Sequence, residues 1–310
     1  MTNDTAKPLI AVLAGGVSSE REVSIRSGRA VCKALSKMNW RAEFVDVTSL
    51  DIPELNHPFD IFFIALHGGF GEDGTLQALM QERGLSFTGC DAQASRVCMD
   101  KAAAKEVLDP AHVPTVQHVL FRTEHTDKEY LAAVKPLGPR VVIKPRAEGS
   151  SVGVSIASDK QGILDGIHKA AEYGDVLVEK FIAGRELNVS VLGTSPLPIV
   201  EVCPMREFYD YEAKYGDAGT QYLTDVGLDD ETYERVQEMG LAAFRALGCR
   251  DFARVDFLLD DSGRAYFIEA NTIPGFTERS LLPMAAATAG IAFPVLCDKI
   301  AGMALCRAKK

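Results

Sequence analysis

Between Asp251 and Gly275 the chain reads D-F-A-R-V-D-F-L-L-D-D-S-G-R-A-Y-F-I-E-A-N-T-I-P-G. Two apolar-rich runs, Phe252 to Leu259 and Ala265 to Ala270, flank the turn cluster Asp260-Asp261-Ser262-Gly263, so a β-hairpin is expected. Asp256 lies inside the first run, and Glu269 and Asn271 end the second. Carboxylates inside otherwise apolar strands are costly unless they find a partner. Glu269 and Asn271 are two residues apart and share one strand face, where a carboxylate of the paired strand can join them. An all-oxygen cluster with net negative charge suits Mg²⁺ bridging nucleotide phosphates. Taken alone, Asp256 and Glu269 read equally well as surface acids on a solvated hairpin edge. Arg254, two residues before Asp256, and the Asn-Thr-x-Pro-Gly ending favour a site.

A length of 310 residues allows two or three domains. The net charge of -10 argues against a nucleic-acid-binding surface, while leaving room for a local basic phosphate pocket. Seven cysteines, an odd number with no C-x-x-C pair, favour free thiols in a reducing compartment over a disulfide framework or zinc site. The opening M-T-N-D-T-A-K-P lacks the apolar core of a secretory signal. No apolar run approaches the roughly 20 residues of a membrane helix. A cytoplasmic location without nucleic-acid or membrane partners is therefore expected.

Pro8 to Ala14 is a continuous apolar run, as in a buried parallel strand. Gly15-Gly16 follows, then a helix towards Met38 with Ser18 or Ser19 as the expected N-cap. Arg41 to Val47 and Phe59 to Leu66 read as further strands. The latter runs into His67 and a four-glycine loop before a helix over Thr75 to Arg83. This alternation indicates a doubly wound parallel sheet, with ligand sites at strand C-terminal ends, where Gly15-Gly16 and His67 fall. From about Ser95 the texture changes. A helix opens at Asp100-Lys101, and strands are expected at Val116 to Phe121, over R-V-V-I-K-P-R and at Asp175 to Phe181, with a helix at Gly162 to Tyr173. A third portion starts near Gly184, with a hairpin over Glu186 to Leu192 and Leu197 to Cys203 and an amphipathic helix at Leu228 to Leu247. The final helix covers Val295 to Arg307. Phe208 to Tyr222 is long, polar and aromatic without a clear period, as lids often are. The expected division is 1–94, 95–183 and 184–310.

The turn from Glu148 to Ser155, E-G-S-S-V-G-V-S, can present backbone N–H groups and hydroxyls to an anion. It is neither a Walker A loop nor a GxGxxG fingerprint, and on its own it reads as a hairpin turn. Lys144, ending a buried strand just before it, can reach the same anion. Lys101 stands at a helix start, where the dipole disfavours a cation. A bound phosphate accounts for it, and so does simple surface exposure. The strand leading into Glu179, Lys180, Ile182 and Glu186 has the pattern of an adenine pocket at a domain crossover.

Lys101, Lys144, the serine-glycine turn, the Glu179-Lys180 linker and the Arg254/Asp256/Glu269/Asn271 hairpin follow the order of an ATP-grasp enzyme. Within that superfamily the chain resembles the D-alanine-D-alanine ligases over essentially its whole length. The resemblance rests on G-G-V-S-S-E-R-E-V-S, H-G-G-F-G-E-D-G, M-D-K at 99–101, E-G-S-S-V-G-V at 148–154, F-Y-D-Y-E-A-K-Y and E-A-N-T-I-P-G-F-T-E-R-S-L-L-P at 269–283. It implies an α/β ATP-grasp fold of three α/β domains that joins two D-alanines through a D-alanyl phosphate, with ATP as co-substrate and two Mg²⁺ or Mn²⁺ ions per site. The product serves peptidoglycan synthesis, and a homodimer is the family expectation.

The resemblance also implies roles for residues. Asp256, Glu269 and Asn271 match metal ligands. Lys101, Lys144 and Ser151 match phosphate contacts, and Glu179, Lys180, Ile182 and Glu186 the nucleoside contacts. Arg254 and the Gly275 N–H match oxyanion stabilisers. Glu20 matches the acceptor of the first D-alanine's ammonium, with His67 lining that pocket and Ser150 and Tyr215 completing a hydrogen-bond chain to the lid. Lys214, Ser280 and the Leu281 backbone match the clamp on the second D-alanine's carboxylate. Read without the family, Glu20 is first-turn helix stabilisation and His67 a satisfied histidine at a strand end. Phe276 replaces the family's usual Met, and its bulkier ring is expected to alter packing near the second substrate site. A ligase with D-lactate or another D-amino acid as acceptor is the nearest rival, and Tyr215 favours the dipeptide. More distant are another carboxylate-amine ligase of the superfamily and a nucleotide-binding regulatory module without catalysis.

Overall fold

The computed structural model describes residues 8–122, 125–203 and 219–308. The strands β1 (Leu9–Gly15), β2 (Arg41–Val47) and β3 (Ile61–Ile64) form a parallel sheet in the order β2-β1-β3. Residues 10–14 and 61–63 are wholly buried, which is why both strands read as unbroken apolar runs. Strand order reverses at β1, so the C-terminal ends of β1 and β3 open a crevice. Helix α1 (Arg21–Lys37) packs on this sheet. The glycine loop after β3 makes a single turn, α2 (Gly69–Glu72), before α3 (Thr75–Glu82). Two helices follow, α4 (Ala92–Met99), which periodicity did not indicate, and α5 (Lys101–Leu108).

The expected serine cap of α1 is not formed. The N-cap position is Glu20, without a side-chain capping bond. Ser18 Oγ instead donates to the His67 carbonyl at 2.8 Å and accepts the Glu20 N–H at 3.2 Å. A tertiary partner has outcompeted the local cap, and it joins the start of α1 to the end of β3.

The second sheet is antiparallel, β4 (His118–Phe121), β5 (Val141–Pro145), β6 (Ser155–Ala157) and β7 (Val176–Lys180), in the order β4-β7-β5-β6. Helix α6 (Asp127–Val134), started by a Thr126/Glu129 capping box, packs on α7 (Lys160–Ala171), which lies against β5, β6 and β7. The third sheet contains β8 (Arg185–Leu192), β9 (Ser195–Pro196), β10 (Val200–Cys203), β11 (Gln221–Leu223), β12 (Phe252–Leu259) and β13 (Ala265–Asn271). Its order is β11-β10-β8-β12-β13, with β9 paired to β8. Helix α8 (Asp230–Ala246) covers it, and Gly240 permits the approach, since a Cβ there would lie 2.4 Å from Val189 Cγ1. Most of the expected lid, 208–218, lies outside the described residues, whereas Gln221–Leu223 at its end is an edge strand.

The chain then returns to its beginning. Helices α9 (Leu281–Thr288) and α10 (Phe293–Ala308) share a core with the first sheet, Leu282, Leu296 and Ile300 joining Ile10, Leu13 and Phe62. Trp40 Nε1 donates to Asp298 at 2.7 Å, and Arg307 grips the buried Asp251 with both terminal nitrogens. Residues 272–280, between β13 and α9, therefore cross from the third sheet to the first. Among the described residues no single helix is long and apolar enough to cross a membrane.

Phe276 packs in the core. Its ring is fully buried, edge-on to Phe63 of β3 at 5.2 Å and to Phe252 of β12 at 5.3 Å. It points into the core between the two sheets and lines neither of the cavities described below. Replacing Phe276 by Ala should lower unfolding stability by about 3–5 kcal/mol. Urea titration with an unchanged slope checks this, and a loss under about 1 kcal/mol would contradict the packing.

Candidate active site

Strand β12 lies between β8 and β13, so its first acid is not on an edge, and Asp256 is 3% exposed. The register sets Asp256 opposite Glu269 and Arg254 opposite Asn271. It then slips, so that Phe257 faces Phe267 and Ile268 is the extra residue of a bulge. A bulge re-aims side chains, and here Ile268 and Glu269, consecutive in the chain, line the same cavity. Arg254 holds the Asp256 carboxylate with Nε and Nη2, each at 2.8 Å. Asn271 Oδ1 accepts the Ile273 N–H at 3.0 Å. Among the described residues no three His, Cys, Asp or Glu side chains gather as a metal site. The expected set has only two carboxylates and an amide. An oxygen-only set of that kind fits Mg²⁺ or Mn²⁺ that completes its shell with water and phosphate oxygens.

Two cavities open on this hairpin. One, of about 720 Å³, is lined by Glu20, His67, Ser150, Arg254, Asn271, Gly275, Ser280 and Leu281. The other, of about 500 Å³, is lined by Lys144, Ser151, Glu179, Lys180, Ile182 and Asp256. Lys101, Glu148, Glu186 and Glu269 line both. Lys101 Nζ donates to the Glu148 carbonyl at 2.5 Å and lies 3.7 Å from Glu269 Oε2. The helix start that disfavours this cation is offset by Asp100, whose Oδ1 accepts the N–H groups of Ala102 and Ala103.

In the second cavity Lys144 Nζ lies 2.8 Å from Glu179 Oε2, and Lys105 Nζ lies 2.7 Å from Oε1 of the same carboxylate. All three residues are buried. Burial pushes the Glu179 carboxyl up, but the charges of Lys144 and then Lys105 outweigh it and hold it down to about 2. Burial likewise lowers the Lys105 ammonium, against the raising effect of Glu179. Arg185 Nε and Nη2 grip Glu201 at 2.8 and 2.6 Å on the opposite wall. Ser150 and Ser151 both adopt positive φ, 49° and 59°. Two successive non-glycine residues in that region store strain, which clusters at ligand-binding turns.

In the first cavity Ser150 Oγ donates to Glu20 Oε1, which ties the serine-glycine turn of the second sheet to the start of α1. Gly68 leaves room for Glu20, since a Cβ there would lie 2.6 Å from Oε2. His67 Nδ1 lies 3.0 Å from the Ile273 carbonyl, which can only accept, so Nδ1 carries the proton. Nε2 lies 3.0 Å from Ser27 Oγ. Ser27 Oγ in turn accepts the Phe276 N–H at 3.3 Å. Both ring nitrogens are thus satisfied within the protein, so His67 holds the 273–276 loop while lining the cavity. Ser280 precedes α9, and its Oγ lies 2.9 Å from Thr277 Oγ1. Lys214 and Tyr215 lie outside the described residues.

Two charged residues, one lining the first cavity and one behind the second, were not singled out from sequence. Glu72, inside the H-G-G-F-G-E-D-G motif, lines the first cavity. Its carboxyl is pushed up by burial, lowered in part by His67, and raised further by nearby Glu20. Lys105 lies four residues after Lys101, so a second lysine on one helix face was the available signal.

The D-ala D-ala ligase C-terminus family model matches residues 107–301, and the D-ala D-ala ligase N-terminus model residues 47–90. A D-alanine–D-alanine ligase of Citrifermentans bemidjiense is 42% identical over 297 residues, covering 95% of each chain. The crystal structure of the D-alanine–D-alanine ligase from Bacillus anthracis superposes with a TM-score of 0.87 at 36% identity, covering 97% of this chain and 99% of that one. The ATP complex from the same organism superposes with a TM-score of 0.86 at 32% identity, with the same coverage. Three α/β sheets in ATP-grasp arrangement, two cavities meeting at Lys101 and Glu269, and these matches along nearly the whole chain place the protein in the D-alanine–D-alanine ligase family.

Proposed function

We propose that the protein ligates two D-alanines to D-alanyl-D-alanine with ATP, forming ADP and phosphate, as a step of peptidoglycan precursor synthesis in the cytoplasm. The observation that carries this reading is the wall shared by the two cavities. A nucleotide in one and an amino acid in the other meet where Lys101 and Glu269 stand.

Glu20 receives the ammonium of the first D-alanine, with Ser150 fixing its carboxylate. That aims the substrate carboxylate at the shared wall, where Lys101 and Lys144 neutralise the transferring phosphoryl group. Lys180, Ile182 and Glu186 border the nucleoside, and Ser151 the phosphates. Asp256, Glu269 and Asn271 would hold two Mg²⁺ or Mn²⁺ ions, which when bound offset charge on the phosphate oxygens. The carboxylate oxygen takes the γ-phosphoryl group as the bond to ADP breaks. The second D-alanine's amine, having lost a proton, attacks the acyl carbon, and phosphate leaves as the tetrahedral adduct collapses to the amide. In that adduct negative charge develops on the former carbonyl oxygen, between Arg254 and the Gly275 N–H. Ser280, the Leu281 N–H and Lys214 hold the carboxylate of the second D-alanine. Tyr215, from the segment proposed as a lid, extends the Glu20-Ser150 chain and excludes water from the acyl phosphate. Residues 1–94, 95–183 and 184–310 act as the units that carry the first substrate, the nucleotide, and the metal and acceptor sites. A homodimer is proposed on family grounds.

Phosphate release from ATP should require D-alanine. L-Alanine should not replace it, and adding D-lactate to D-alanine should not change the product. Release that does not depend on D-alanine would exclude the ligase reading. Glu269→Gln should lower turnover by about 10³-fold while circular dichroism stays unchanged, since the loss falls on transition-state charge. Glu20→Gln should raise the KM for D-alanine about ten-fold and leave that for ATP within about two-fold. Equal rises in both would mean that Glu20 does not bind the amino acid.

A further inference from the structure

Lys105 is 2% exposed and lines neither cavity. Its ammonium meets the Val116 carbonyl at 3.1 Å and Glu179 Oε1 at 2.7 Å. A buried ammonium that faces no cavity costs stability, and among the described residues its ion-pair partner is Glu179. That same carboxylate, through Oε2, is the partner of Lys144, which does face the nucleotide cavity. Two ammoniums and one carboxylate leave one net positive charge. Without Lys105, Glu179 and Lys144 would form a neutral pair, and the field of Lys144 toward a phosphate would be largely cancelled. Shared between two lysines, the carboxylate is held on the inner side and Lys144 keeps its charge for the ligand.

We propose that Lys105 is a positioning residue for nucleotide binding: it anchors Glu179 so that Lys144 presents a net positive charge to the phosphates of ATP. It touches no ligand and acts through Glu179. The proposal rests on the assignment of Lys144 to the nucleotide phosphates. The spacing in K-A-A-A-K fits two tasks on one helix. Lys101 at the start of α5 reaches the shared wall, and Lys105 one turn later reaches the back of the nucleotide cavity.

The test is a double-mutant cycle on the whole protein: wild type, Lys105→Met, Lys144→Met and the pair, each titrated with ATP and Mg²⁺ by calorimetry and assayed with D-alanine. Lys105→Met should weaken ATP binding and raise the KM for ATP about ten-fold, because a screened but buried charge is lost. The turnover number and the KM for D-alanine should stay within about two-fold. In the Lys144→Met background, removing Lys105 should add less than about two-fold, because the group that it serves is gone. Should Lys105→Met fail to fold, Lys105→Gln gives the same readouts, since its amide can still serve the Val116 carbonyl without charge. The proposal is overturned if ATP affinity is unchanged, if both KM values and turnover shift together, or if the two losses multiply. A wild type that does not bind ATP, or a Lys144→Met variant that binds it as tightly as wild type, sinks the nucleotide assignment and this proposal with it. An unimpaired Lys105→Met beside an impaired Lys144→Met sinks the proposal alone.

Discussion

A carboxylate and a triphosphate repel each other, and a chain that joins them has to gather cations where neither anion reaches them alone. Here the proposed place is the wall between the cavities, with Lys101 at the head of α5 and Glu269 beside the bulge of β13. Everything adjacent serves its geometry. The central position of β12 keeps Asp256 dry and opposite Glu269, and the bulge turns Glu269 and Ile268 to the same side. Asp100 offsets the exposed end of α5, so that a lysine can stand there. Removing any one of these would leave a charge without its counterpart at the point where phosphoryl transfer is proposed.

Three separate sheets meet at this wall, and the contacts between them are few and specific. Ser150 of the second portion reaches Glu20 of the first. His67 and Ser27 of the first hold the loop that carries Gly275. Phe276 buries its ring between Phe63 and Phe252, and Arg307 closes on Asp251 at the root of the hairpin. The last two helices return to the first sheet and share its core, which brings the loop with Gly275 to the first cavity. Gly275 and Thr277 line the first cavity, and Phe276 between them anchors that loop in the core.

The hairpin, the parallel strands and most helices were legible because their periodicity and turn residues leave few alternatives. Counting set Glu269 and Asn271 two apart on the second strand, and the structure lines the first cavity with both, while Asp256, opposite Glu269, lines the second. Other features could not be read, each for a physical reason. Ser18 or Ser19 was expected to cap α1, yet the His67 carbonyl beyond β3 claims the Ser18 hydroxyl, and no local rule anticipates a partner 49 residues away. Nothing in the run Ala265 to Ala270 marks the bulge at Ile268, which brings Ile268 and Glu269 to the same cavity. Lys105 and Glu72 look like ordinary charges on short helices until burial brings them beside Glu179 and Glu20. That the Phe276 ring packs between β3 and β12 could not be read, because both partners are distant in sequence.

The central claim is that the amino-acid carboxylate itself attacks the γ-phosphate at the shared wall. D-Alanine labelled with ¹⁸O in both carboxylate oxygens tests it most directly, by mass analysis of the phosphate released with ATP. One labelled oxygen in each released phosphate is the predicted result. Phosphate without label would mean that water takes the phosphoryl group, and the geometry proposed for this wall would be wrong.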